Sequence, residues 1–129
     1  MSFIKKLFGT VTEVKDTKIL PWITLDTIEQ LAEIEVKSTT KPQVIFKHST
    51  RCGISRMVLR QFEADFNTLE TSLDLYYLDL LNYQDISNAI AERFNVVHES
   101  PQLLIIKNGA AVANASHGSI NDLDIKRFV

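Results

Sequence analysis

Residues 46–66 read FKHSTRCGISRMVLRQFEADF and hold the only cysteine of the 129-residue chain, Cys52. Just upstream, QVIFK (43–47) is short, β-branched and uninterrupted, the pattern of a strand buried on both faces. From residue 54 the period changes. Ile54, Met57, Val58, Phe62, Phe66 and Leu69 fall on one helical face, with Ser55, Arg56, Arg60 and Glu63 on the other. Cys52 is therefore expected at a strand-to-helix junction. Unpaired N–H groups and the helix dipole favour an anion there, so the position suits a reactive thiolate. Arg51 beside it and Arg56 one turn on add positive charge, and the Ser55 hydroxyl is expected to donate to the sulfur while being unable to form a disulfide with it. Polar Ser49, Thr50 and Arg51 ahead of the cysteine weigh against a buried, inert thiol. His48 reads first as a structural or capping histidine and second as a proton shuttle.

The flanking sequence extends the pattern. TLDTIEQLAEIEVKS (24–38) places Leu25, Ile28, Leu31 and Ile34 at three-residue steps, a helix with Thr24 or Asp26 as its cap and Glu29 near its first turn. SLDLYYLDLL (72–81) reads as a second central strand, QDISNAIAERF (84–94) as a helix capped near Asp85, and QLLIIK (102–107) as a third strand. Asn108-Gly109 is a strong hairpin signal joining that strand to AAVANAS (110–116). SINDLDIKRFV (119–129) reads as a closing helix with Ser119 as N-cap, followed by Ile120, Leu123, Ile125 and Phe128. The order is α, β, α, β, α, β, β, α. It implies an α/β fold: a central mixed sheet flanked by helices, parallel where crossovers join the strands and antiparallel at the hairpin edge. Residues 1–21 read as an N-terminal arm and 22–129 as one domain, with no repeats, low-complexity tract or linker.

Composition narrows the function. Apolar residues make up 45% of the chain, enough to close a core without staples. Fourteen basic against sixteen acidic residues leave a net charge of −2, so no basic excess invites nucleic acid. A lone cysteine forms no internal disulfide and suits a reducing cytosol. MSFIKKLFGTVTEVKD (1–16) has lysines but no apolar signal core, and no later segment approaches a membrane span. FIKKLF could lie on a membrane as a short amphipathic turn, but a loose or locally packed arm is the preferred reading. A cytoplasmic monomer is expected. His98 and His117 with one cysteine match no metal-site spacing, so neither metal nor cofactor is expected.

The element order is that of thioredoxin, and FKHSTRCGISRM (46–57) with ESPQLLIIKNG (99–109) resembles the YtxJ family, the monothiol bacilliredoxins. The resemblance runs from about Trp22 to the C-terminus. One departure is Gly53, where the family carries Pro or Ser. The resemblance implies a thioredoxin-like fold with a cis Pro101 facing Cys52, and a Ser100 backbone able to pair with an extended substrate. It further implies a thiol-disulfide oxidoreductase whose co-substrate is the small thiol bacillithiol and whose partners are S-bacillithiolated client proteins. Arg51 and Arg56 are then the candidate contacts for the malate carboxylates of bacillithiol. CGIS also resembles the motif of monothiol glutaredoxins that carry iron-sulfur clusters, although the glycine pair and aspartate they use for glutathione are missing after Pro101. A redox-inactive interaction module of the same fold is the third alternative.

Overall fold

The computed structural model describes residues 20–66 and 72–129. The reading of Leu69 as part of the helical face, and that of FIKKLF within the arm, lie outside the described residues. The elements are β1 (Trp22–Thr24), α1 (Glu29–Lys37), β2 (Gln43–His48), α2 (Gly53–Asp65), β3 (Asp74–Asp79), α3 (Gln84–Phe94), β4 (Gln102–Lys107) and β5 (Ala110–Ser116). Two 3-10 turns follow, His117–Asp122 and Ile125–Phe128. The strands form a five-stranded sheet in the order β1-β3-β2-β4-β5. β3 lies parallel to both β1 and β2, while β4 runs antiparallel to β2 and β5 antiparallel to β4.

Every residue of central β2 is buried, the apolar Val44, Ile45 and Phe46 and with them the polar Gln43, Lys47 and His48. The two-residue pleat sends Val44 and Phe46 into a core beneath α2 with Val58, Phe62, Leu75, Leu103 and Ile105. It sends Ile45 into a core beneath α1 and α3 with Leu31, Ile34, Leu78, Ile86, Ile90 and Leu104. Leu20 is buried in the α2-side core, only 4% exposed. Trp22 seats on Phe46, Phe62 and Tyr77, and its Nε1 donates to Glu63 on α2 at 2.9 Å. The hairpin forms as its Asn-Gly pair demands: Asn108 and Gly109 both take positive φ, 52° and 78°. Ser38 locks it to the end of α1, its carbonyl accepting from Asn108 N and its Oγ from Gly109 N, both at 2.8 Å.

Several expectations are corrected. Trp22–Thr24 is an edge strand to which the sequence reading assigns no element, and the helix read over 24–38 starts only at Glu29. Neither Thr24 nor Asp26 caps it; instead Gln30 Oε1 accepts from the Asp26 and Thr27 amides. α3 begins after Tyr83 with no side-chain cap, and Asp85 lies in its first turn. The closing helix is two 3-10 turns, with Ser119 inside the first rather than at its cap. Its apolar residues come in pairs three apart, 120 with 123 and 125 with 128, which suits three residues per turn better than 3.6. The buried face of α2 is also rotated from the expected one. Ser55, Val58 and Phe62 face inward, whereas Ile54 and Met57 are 59% and 72% exposed. Phe62 fixes that rotation by filling the space between Trp22 and Phe46.

Candidate redox site at the start of α2

β2 ends at His48, and a tight turn closes with Cys52 N donating to Ser49 O at 3.2 Å. Cys52 is the N-cap of α2 in extended conformation, and its carbonyl accepts the first helical bond, from Arg56 N at 3.1 Å. The thiol is free and half-buried. No side chain caps this helix end, so the cysteine itself lies at the positive end of the dipole, as the motif predicts. Thr50, Arg51, Gly53 and Arg56 around it are exposed. Arg56 folds back over the turn, Nη1 donating to Thr50 O at 3.1 Å. A Cβ at Gly53 would meet only Arg56 Nη2, at an ordinary 3.8 Å, so close packing does not require the glycine. Arg51 lines a depression with Thr50, Leu81 and Asn82.

Ser55 departs from expectation. It is fully buried, and its Oγ lies 2.8 Å from His48 Nδ1 while accepting from Ser49 N at 3.1 Å. The hydroxyl is thus committed to the strand end, and among the described residues it makes no hydrogen bond with Cys52. His48, 4% exposed, is held below its usual pKa of 6.5, chiefly by burial; Asp79 opposes this, Arg56 adds to it and Glu63 opposes it. A neutral imidazole can take the Ser55 proton on Nδ1, so His48 acts as a clasp between β2 and α2.

Ser100 and Pro101 are joined by a cis peptide bond. Pro101 is buried, Ser100 half-buried, and the Pro101 carbonyl accepts from His117 N at 3.0 Å. Because Lys47 pairs with Gln102 in the β2/β4 ladder, Pro101 stands beside the end of β2 that leads into the cysteine turn. The structure thus collects Cys52, Arg51, Arg56, Thr50 and Gly53 around the start of α2, with Ser100–Pro101 just before the adjacent strand β4 and Ser55 and His48 beneath. His117 lies in the turn after β5, and no group of three His, Cys, Asp or Glu able to hold a metal occurs among the described residues.

Sequence reasoning missed a second buried polar group. Lys47, fully buried, places Nζ 3.0 Å from His98 Nδ1, and Ser87 Oγ lies 3.1 Å from the same nitrogen. The available signal was a lysine inside a run already read as buried on both faces.

Comparison with known proteins agrees with this geometry. Among solved structures, a thioredoxin-fold protein suggested to be an oxidoreductase is 38% identical, with a TM-score of 0.66, over 78% of this chain and 86% of that one. Thioredoxin O2 of Arabidopsis thaliana in its oxidised state is 19% identical at a TM-score of 0.63, over 83% of this chain and 93% of that one. Thioredoxin of Schistosoma mansoni is 22% identical at 0.64, over 84% and 95%. The last two establish likeness of fold alone. Residues 23–125 match the monothiol bacilliredoxin BrxC family. With one cysteine at the head of α2, a cis proline just before the neighbouring strand and that match across most of its length, the chain belongs to the monothiol bacilliredoxin family and has the thioredoxin fold.

Proposed function

We propose that the protein is a cytoplasmic, monomeric reductase that removes bacillithiol from S-bacillithiolated client proteins. The observation that carries this reading is an accessible thiol at a helix N-cap with a buried serine, not a second thiol, at position 55. The Cys52 thiolate attacks the bacillithiol sulfur of the mixed disulfide; the client leaves as its thiolate, and Cys52 is left bonded to bacillithiol. A second bacillithiol thiolate attacks the bacillithiol sulfur of that bond, giving oxidised bacillithiol and restoring Cys52. The exposed guanidinium groups of Arg51 and Arg56 are suited to the malate carboxylates. Ser100 is the candidate backbone partner for the client segment. No helix among the described residues is long and apolar enough to cross a membrane, which is compatible with this setting.

The test is intact mass after mixing the protein with a bacillithiol mixed disulfide and no free thiol. One bacillithiol should appear on Cys52 with stoichiometric release of client. With insulin under the same conditions the protein should stall as a covalent complex, because a serine hydroxyl is too weakly acidic to resolve it. Multiple turnover on insulin by the wild type would overturn the reading.

A further inference from the structure

Burying a lysine ammonium is costly, and an apolar side chain of similar length is often neutral or stabilising in its place. Lys47 nonetheless occupies the inner end of β2 with no exposure, on the face opposite His48. Its Nζ bonds to His98, an exposed residue of the connection between α3 and β4. That connection has no regular structure of its own, and its last residues are Ser100 and Pro101. Three side chains tie it down. Lys47 from β2 and Ser87 from α3 reach His98 Nδ1, and Gln102 at the start of β4 donates from Nε2 to Val97 O at 2.9 Å and accepts on Oε1 from Glu99 N at 3.4 Å. Lys47 and Gln102 are themselves paired across the ladder, so both anchors stand on one rigid strand pair.

We propose that Lys47, acting through His98, is a positioning residue for the Ser100–Pro101 edge, holding it where a mixed-disulfide substrate lies down beside Cys52. This rests on the reductase function proposed above. The chemistry of the contact suits a tether. Burial lowers Lys47 to about 8, so near neutral pH it is still mainly an ammonium donor. Burial first, then Lys47, hold His98 below 6.5 and keep its Nδ1 an acceptor. The tether's hydrogen bond to the exposed connection is made at one ring nitrogen, and it lies across the sheet from the His48–Ser55 clasp that seats the thiol. It should therefore govern substrate placement and leave thiol reactivity alone.

The experiment uses the full chain, a peptide–bacillithiol mixed disulfide as substrate and bacillithiol as reductant. His98→Ala and Lys47→Met should each raise KM about fivefold, with kcat and the rate of Cys52 alkylation by iodoacetamide staying within about twofold of wild type. His98→Asn, whose Oδ1 can accept in place of Nδ1, should return KM to within about twofold of wild type. Lys47→Met should keep or raise the unfolding midpoint, an outcome that a purely structural lysine would not give. An unchanged KM in His98→Ala, or a raised KM that Asn does not restore, overturns the proposal while leaving the reductase reading standing. If Lys47→Met does not fold, the two His98 variants decide. A wild type with no turnover on this substrate overturns both.

Discussion

Lys47 and His48 are neighbours on β2, both buried, and the pleat sends them to opposite faces of the sheet. Beneath α2, His48 meets a hydroxyl that is also fully buried, so a neutral polar pair closes on itself within a core of Phe46, Phe62 and Trp22. Beneath α3, Lys47 finds an imidazole whose far side faces water. The difference shows how one strand end can serve two segments. The closed pair fixes the helix that carries the thiol, and the half-open pair fixes the connection that carries the proline.

The comparison is broken or sharpened most strongly by truncating the apolar support on each side. Phe62→Ala should cost about 3–5 kcal/mol and Ile90→Ala about 2–5 kcal/mol in urea unfolding. Only Phe62→Ala should also alter the alkylation rate of Cys52, because Phe62 seats α2 against Trp22 and Phe46 at ring distances of 5.9 and 5.5 Å. Equal effects on Cys52 from both variants would remove the division of labour. Next in size is Ser55→Ala. It strips the half-buried Ser49 amide and the buried His48 Nδ1 of their partner and should cost about 1–3 kcal/mol by the same measurement. A neutral result would mean that the clasp is not holding the helix.

The smallest effect is the pH dependence of stability, where the two sides act in different windows. His48 and His98 both titrate below their ordinary 6.5 in the fold, so on acidification the unfolded chain takes up protons first. Stability should therefore fall as pH drops below about 6.5. Lys47 releases its proton at about 8 in the fold and at 10.5 when unfolded, so between these values the unfolded chain again holds more protons and this group adds stability as pH rises. Above about 10 the opposite contribution of Tyr76, pushed up to about 12 by burial first and by Asp74 and Glu33 second, sets in. Unfolding midpoints measured from pH 5 to pH 10 should show both slopes, and Lys47→Met should lose the alkaline one alone. An alkaline slope that survives the substitution would place its origin elsewhere.

The parts legible in the sequence were those decided by local chemistry. QLLIIK and QDISNAIAERF appear as the strand and helix they spell, with the bounds expected. Asn108-Gly109 takes the two positive φ angles that few other residue pairs tolerate. The helix junction at Cys52 follows from a change of hydrophobic period, and the thiol lies where that change placed it. The three-residue strand at Trp22 was too short to carry a period, and Ile54 and Met57 were assigned inward because hydrophobicity was the only guide to the rotation of α2.

The sequence by itself determined the order of elements from α1 to β5, the single thiol at a helix start and the hairpin, because each depends on residues within a few positions of one another. Only the tertiary structure decided that Ser55 turns from the sulfur to His48, that Lys47 reaches His98 across 51 positions, and which face of α2 is buried. Those outcomes depend on where a pleated strand, a packed Phe62 and a connection from another part of the chain meet in space. A buried polar group must take a partner there, whatever its distance along the chain.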